Sequence, residues 1–165
     1  MSKAKHVSET PATQFLKKNK VIYEEHTYDY VEHGGTAETS KQLGVGEHQI
    51  VKTLIFEDDS GKPHVVLMHG DCEVSAKNLA RQVGVKKMQI VAATEAPKHS
   101  GYQIGGTSPF GTRKHMPVWI EKTILDYDKI YINGGRRGYI LSLNPQVIVD
   151  LLGAKAVEVA NEHGA

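Results

Sequence analysis

SGYQIGGTSPFG, residues 100–111, holds four glycines and one proline but no charged side chain. Gly105 and Gly106 allow a positive φ or a close approach of the backbone to another group. Pro109 fixes its own φ and biases Ser108 towards an extended conformation. Such a loop can direct several backbone N–H groups at one point, and so hold a phosphate, a carboxylate or a developing oxyanion. A tight turn between two strands fits the same residues.

A second glycine-rich segment is NGGRRG, residues 133–138. It lies between the apolar runs 130–132 and 139–141, and Asn-Gly between apolar runs is a strong hairpin signal. The segment therefore predicts a turn over 133–138. Arg136 and Arg137 also offer a phosphate site at this turn.

Length and composition indicate one globular domain. The chain has 165 residues, of which 39% are hydrophobic and 24% charged, as is typical of soluble proteins. We expect residues 1–9 to be a disordered N-terminal segment and residues 10–160 to form the domain. No signal peptide and no long apolar run is found, which predicts a cytoplasmic protein with no membrane partner.

Charge is nearly balanced overall but not locally. The formal net charge is +1, whereas residues 76–120 hold seven Lys or Arg against one acidic residue. This excess brackets the glycine-rich loop. It is consistent either with a surface for a polyanion or with an ordinary solvated basic face.

Hydrophobic periodicity and capping residues predict alternating strands and short helices. Predicted helices cover 11–18, 36–43, 76–83, 95–99 and 145–152, and Thr10, Thr36 and Ser75 are the expected N-caps. Predicted strands cover 21–28, 50–56, 63–68, 87–91, 117–120, 129–132, 139–143 and 156–159. Turns at 58–61 and 133–138 require antiparallel pairs, while helical crossovers allow parallel ones. The prediction is an α/β fold with a mixed sheet flanked by short helices.

Familiar catalytic motifs are absent from the sequence. No dinucleotide-binding fingerprint, P-loop, H-E-x-x-H or G-x-S-x-G motif occurs. Cys72 is the single cysteine, and nothing marks it as activated, so a buried hydrophobic role is favoured. His69 and Cys72 lack partners at metal-ligand spacing. We therefore predict neither a metal site nor a cofactor.

Lys52 interrupts IVKTLIF, residues 50–56, the most apolar strand predicted in the chain. Strand alternation can place this lysine on the solvent face. If it points inward, a desolvated ammonium is costly unless it is paired or used in function. An inward Lys52 that faces the glycine loop would anchor an anion.

Together these segments resemble the YbaK/EbsC family, relatives of the editing domain inserted in bacterial prolyl-tRNA synthetases. The resemblance covers about residues 11–159, and its most specific feature is the lysine strand followed by the glycine loop. It implies a mixed, partly rolled, barrel-like sheet with helices around it. Five segments carry it, in the family's order: HTYDY (26–30), VKTLIF (51–56), VGVKKMQIVAA (83–93), SGYQIGGTSPFG (100–111) and YINGGRRGY (131–139).

The resemblance implies an aminoacyl-tRNA deacylase that clears Cys-tRNA(Pro), or also Cys-tRNA(Cys). Cysteine and proline have similar volumes, so a synthetase needs a second site to separate them. The implied mechanism uses the substrate's own thiol, while the protein positions groups and stabilises charge. The implied partners are the 3′ end of aminoacyl-tRNA and a prolyl-tRNA synthetase complex. The alternatives are a deacylase of this fold for another small amino acid, such as alanine on tRNA(Pro), and a non-catalytic module that binds tRNA or a synthetase.

Site residues follow from the same resemblance. The implied catalytic residues are Lys52, which would hold the terminal ribose or the ester, and Gly105, Gly106 and Ser108, whose backbone would face the carbonyl oxygen. The implied substrate-binding residues are Tyr28, Thr107, Pro109, Asn133, Gly134 and Gly135. The chain departs from the family pattern at Thr107, Asn133 and Ile140, which leaves its amino-acid preference open.

Overall fold

The computed structural model of the protein describes residues 9–162. The segment predicted to be disordered, residues 1–9, lies outside this range except for Glu9. No helix in the described range combines the length and the apolar character needed to cross a membrane.

Strands and helices alternate along the described chain, and the bounds of the predicted elements differ from the observed ones by up to four residues. The helices are Pro11–Lys18 (α1), Gly35–Leu43 (α2), Ala76–Val83 (α3), Ala96–Ser100 (α4) and Gln146–Leu152 (α5). The strands are Glu24–Thr27 (β1), Ile50–Asp58 (β2), Pro63–His69 (β3), Cys72–Val74 (β4), Met88–Ile90 (β5), Val118–Glu121 (β6), Ile130–Arg136 (β7), Tyr139–Leu143 (β8), Lys155–Val157 (β9) and Ala160–Glu162 (β10).

Eight strands form one mixed sheet. Their order is β1-β8-β7-β2-β3-β6-β9, with β5 added beside β2, while β4 and β10 form a separate pair. The β2–β7, β3–β6 and β6–β9 pairs are parallel, and the others are antiparallel. The predicted mixed α/β fold is confirmed. Within the described range β1 and β9 stay at opposite ends of the sheet, so no closed barrel forms.

Side-chain alternation along β3 divides the core between the two faces of the sheet. Val65 and Leu67 belong to a cluster that includes residues of α1 and α5. Val66 and Met68 belong to a second cluster, with residues of α3. Because successive residues of a strand point to opposite faces, the fully buried β3 requires helices on both sides.

The central strand β2 has an interrupted edge. One edge pairs with β3 from Val51 to Glu57. The other edge pairs with β7 only at Ile50 and Val51, and with β5 only from Phe56 to Asp58. In the described part of the chain, residues 52–54 therefore have no partner strand on this side, and a gap opens in the sheet.

One local prediction is wrong, and one predicted hairpin has a shorter turn than expected. Gly34, not Thr36, precedes the first turn of α2. The hydroxyl of Thr36 instead lies 2.7 Å from the carboxylate of Glu47 and 3.0 Å from the carbonyl oxygen of Gly70. The hairpin predicted over 133–138 turns only at Arg137 and Gly138, because β7 continues to Arg136 through an irregularity between Asn133 and Arg136.

Candidate active site

A cavity of about 490 Å³ lies at the gap in β2. This volume is within the range of small-molecule sites, about 300–1,000 Å³. Five of the predicted site residues line the cavity: Tyr28, Lys52, Gly105, Thr107 and Asn133. They come from β2, β7, the glycine loop and the segment after β1, so the fold brings distant parts of the chain to one place.

Lys52 is partly buried and contributes to the wall of this cavity. It lies opposite Met68 in the β2–β3 pairing. Within residues 9–162 its ammonium group has no hydrogen-bond or ion-pair partner. A partly desolvated cation without a protein partner is suited to an anionic or strongly polar ligand.

Asn133 joins the two glycine-rich segments. Its Nδ2 donates to the carbonyl oxygen of Gly105 at 2.9 Å, and its Oδ1 accepts from the N–H of Gly135 at 2.8 Å. Gly105 has a φ of +87°, a conformation that favours glycine. The position of the loop at the cavity is thus set by β7.

Backbone donors of the loop differ in availability. The N–H of Gly106 donates to the carbonyl of Gln103 at 2.9 Å, which closes a turn inside the loop. The N–H groups of Gly105 and Thr107 form no hydrogen bond with residues 9–162, and both residues line the cavity. The loop can therefore offer two amide donors to a negatively charged oxygen.

The other five predicted site residues do not line the cavity. Ser108 is fully buried, and its Oγ accepts from the N–H of Phe110 at 3.1 Å. Gly106, Pro109 and Gly134 are also buried. A Cβ on Gly106 would lie 2.9 Å from Arg136 Cα, and one on Gly134 would lie 2.7 Å from the Tyr139 ring.

Gly135 also has a packing role. Its φ is +108°, and an added Cβ would lie 2.9 Å from Thr10. The hydroxyl of Thr10 in turn donates to the carbonyl oxygen of Gly134 at 2.6 Å. The second glycine segment thus packs against the start of α1, and its Gly135 N–H donates to the side chain of Asn133.

Tyr30 and Arg137 are among the further residues that line the cavity, and they were not among the predicted site residues. The guanidinium carbon of Arg137 lies 4.8 Å from the centre of the Tyr30 ring, and Nε donates to the carbonyl of Ile104 at 2.8 Å. A Cβ on Gly105 would lie 2.7 Å from the Tyr30 hydroxyl. Tyr30 ends the HTYDY segment, and Arg137 was noted only as a phosphate contact, so the sequence held a partial signal for both.

Tyr102 supports the loop from inside. Its hydroxyl donates to the carbonyl oxygen of Phe110 at 2.5 Å. Burial raises the pKa of the Tyr102 phenol well above its ordinary value. The phenol therefore stays a hydrogen-bond donor over the physiological pH range, and the loop is closed across eight residues of chain.

Among the described residues that line the cavity there is no serine and no cysteine. Cys72 lies in β4 and is 2% exposed. With His48 and Asp71 it forms a group of possible metal ligands within 4.8 Å of one another, away from the cavity. His48 Nδ1 already lies 2.8 Å from the Asp71 carboxylate, so a hydrogen bond accounts for that pair.

Comparison with known proteins identifies the family. The sequence model described as "Aminoacyl-tRNA editing domain" matches residues 32–151. The chain belongs to this aminoacyl-tRNA editing family. The editing domain is 29% identical to "Putative Cys-tRNA(Pro)/Cys-tRNA(Cys) deacylase EbsC" of Enterococcus faecalis, over 98% of this chain and 99% of that protein. The resemblance to the YbaK/EbsC family is thereby confirmed.

Two further relatives connect this editing domain to prolyl-tRNA synthetases. The proline–tRNA ligase of Limosilactobacillus fermentum is 24% identical over 62% of this chain, but the match covers only 18% of the ligase. A crystal structure of "a putative trans-editing enzyme for prolyl tRNA synthetase" superposes with a TM-score of 0.79 at 21% identity, over 92% of this chain and 95% of that one. The latter likeness shows a shared fold.

Proposed function

We propose that the protein is a trans-acting deacylase that removes cysteine from Cys-tRNA(Pro), with Cys-tRNA(Cys) as a further substrate. The observation that carries the proposal is the ammonium of Lys52, which has no partner among residues 9–162 and shares with the glycine loop a cavity whose described lining includes no serine or cysteine. A site with charge-stabilising groups but no strong nucleophile suits a substrate that brings its own. The name of the Enterococcus faecalis relative supports cysteine as that substrate.

In the proposed reaction, the substrate thiol attacks the carbonyl carbon of its own ester. A C–S bond forms, the ester C–O bond breaks, and the thiol proton passes to the released ribose oxygen. The products are cysteine thiolactone and free tRNA. Lys52 holds the ribose and ester region, and the N–H groups of Gly105 and Thr107 stabilise the charge that develops on the carbonyl oxygen.

The other predicted site residues then have supporting roles. Gly106, Ser108 and Pro109 hold the loop in the shape that presents the two amide donors. Tyr28 packs beside the cavity against Ile50 and Ile140 and borders the space for the amino-acid side chain.

The proposed partners are the 3′ end of tRNA and prolyl-tRNA synthetase. Lys98 and Arg113 lie at the base of the glycine loop, where the N–H of Arg113 donates to the carbonyl of Ser100 at 2.9 Å. Basic side chains at this position suit the phosphates of an acceptor strand. A net charge of +1 gives little long-range attraction for tRNA. A synthetase that already holds tRNA(Pro) would supply the missing affinity.

The test is an ester-cleavage assay with purified protein and tRNA(Pro) charged with cysteine, serine, alanine or S-methylcysteine. The proposal predicts rapid release of cysteine and slow release of the other three, because only cysteine offers a nucleophilic thiol. Equal cleavage of S-methylcysteine would contradict the thiol mechanism and indicate hydrolysis by water. Preferential release of alanine would support a deacylase for that amino acid, and no release from any tRNA would leave a binding module.

A further inference from the structure

Within residues 9–162, the interrupted edge of β2 leaves Thr53 without a partner strand on the side away from β3. Pairing with β7 ends at Val51, and pairing with β5 begins at Phe56. Thr53 lies between these two positions and lines the cavity. Such an interruption is unusual in a central strand, because unpaired backbone groups in a sheet interior are costly.

Hydrogen bonds on either side of Thr53 give the direction of its backbone groups. The carbonyl of Ile50 accepts from the N–H of Gly70, on the β3 side, at 2.6 Å. The carbonyl of Ile55 accepts from the N–H of Val91, on the β5 side, at 2.9 Å. In an antiparallel pair, alternate residues direct both backbone groups to the same neighbour. Thr53 lies two residues before Ile55 in β2, so its backbone groups point to the same side as those of Ile55. Its N–H and C=O therefore point into the gap.

The side chain of Thr53 is also unsatisfied. Its Oγ1 is shielded from solvent and has no hydrogen-bond partner within residues 9–162. A buried hydroxyl without a partner is unfavourable, and native structures contain few of them. Rotation about χ1 between staggered positions exchanges the hydroxyl with the methyl group, so Oγ1 can reach a donor that enters the cavity.

We propose that Thr53 forms the subsite for the α-amino group of the aminoacyl ester. This inference depends on the proposed function for the identity of the ligand. An aminoacyl ester carries an amine donor and a carbonyl acceptor on either side of one Cα, as a strand residue does. Its amine therefore enters the gap beside β2 and donates to the carbonyl and the hydroxyl of Thr53, while its ester carbonyl faces the N–H groups of Gly105 and Thr107.

The inference is tested by binding, independently of cleavage. The probes are 3′-cysteinylamino-3′-deoxyadenosine, in which a stable amide replaces the ester, and its 3-mercaptopropionyl counterpart, which lacks only the α-amino group. Calorimetric titration of the wild type should give a dissociation constant about tenfold lower for the first probe. Thr53→Val, which removes only the hydroxyl, should reduce this preference to about threefold or less. Thr53→Ser should keep it.

Thr27→Val is the matched control, because Thr27 is an exposed strand threonine outside the cavity, and it should retain the tenfold preference. Equal affinity of the wild type for the two probes would overturn the inference, as would an unchanged preference in Thr53→Val. If the amine preference is present but Cys-tRNA is not cleaved, the subsite stands and the proposed function fails. If Cys-tRNA is cleaved but the wild type shows no preference for the probe with the amine, the proposed function stands and the subsite fails.

Discussion

Asn133 donates a hydrogen bond of 2.9 Å from Nδ2 to the carbonyl oxygen of Gly105, and this bond joins the two glycine-rich segments at the cavity. The same amide accepts from the N–H of Gly135 at 2.8 Å. The side chain of Asn133 thus fixes the position of the glycine loop relative to β7. The placement of the loop donors in the cavity that Lys52 also lines depends on this contact.

Replacement of Asn133 should weaken catalysis more than folding. Asn133→Asp keeps the size of the side chain but replaces the donor towards Gly105 with a carboxylate oxygen. We expect kcat/KM for Cys-tRNA(Pro) to fall about tenfold or more, with a loss of about 1 kcal/mol in the free energy of unfolding. Asn19→Asp is the control, since Asn19 also donates to a carbonyl, that of Phe15 at 2.8 Å, but outside the cavity. Equal activity of the two variants would contradict the proposed role.

Gly105 provides a test of the close contact with Tyr30. Gly105 and Gly61 have nearly the same φ, +87° and +85°. A Cβ on Gly61 would meet nothing within 4 Å, whereas one on Gly105 would lie 2.7 Å from the Tyr30 hydroxyl. Both alanine variants should lose about 1 kcal/mol in stability from backbone strain. Only Gly105→Ala should also lose deacylase activity, and comparable activity in both would refute the contact argument.

Asp58 should stabilise the β2–β3 hairpin in a pH-dependent way. Its carboxylate lies 3.0 Å from His64 Nε2, and His64 Nδ1 accepts from Trp119 Nε1 at 3.0 Å. Because the indole N–H can only donate, the neutral His64 carries its proton on Nε2 and donates it to Asp58. This bond, with others from Ser60 and Lys62, holds the pKa of Asp58 well below its ordinary value.

Asp58→Asn should therefore lower the free energy of unfolding by about 2 kcal/mol at pH 7. A carboxyl whose pKa is lower in the folded state stabilises fully above its unfolded pKa, about 3.9, and loses that contribution as the pH falls further. The difference in the free energy of unfolding between the wild type and Asp58→Asn should thus become smaller between pH 4 and pH 3, as measured by urea unfolding. Asp128→Asn, an exposed control, should show no difference. A difference in the free energy of unfolding that stays constant down to pH 3 would contradict this role of Asp58.

Local signals were sufficient for much of the fold. Thr10 caps α1 as predicted, with Oγ1 accepting from the N–H of Thr13 at 3.1 Å. Ser75 caps α3 in the same way. The sequence failed where a distant partner decides the conformation. Thr36 bonds across to Gly70 instead of capping α2, and the three-residue strand β4 exists only through its pairing with β10.

In the candidate site, too, local sequence signals identified some features, while features that depend on distant parts of the chain were missed. The lysine strand and the glycine loop were recognisable, but the gap beside Lys52 comes from an interrupted strand edge that no local pattern encodes. Thr53 was missed because a threonine in a strand is ordinary until its Oγ1 is seen to lack a hydrogen-bond partner among the described residues. Gly134 and Gly135 pack against Tyr139 and Thr10, and their predicted part in substrate binding stays a prediction. Their proposed catalytic neighbours, Gly105 and Thr107, remain predictions.

Deacylation of Cys-tRNA(Pro) by Lys52→Met tests the central claim most directly. Methionine keeps most of the side-chain length and removes the charge, and Lys62→Met is the control at an exposed turn position. We predict that Lys52→Met lowers kcat/KM by about 100-fold or more, with a free energy of unfolding within about 1 kcal/mol of wild type. Lys62→Met should retain wild-type activity. Wild-type deacylation by a folded Lys52→Met variant would contradict the account.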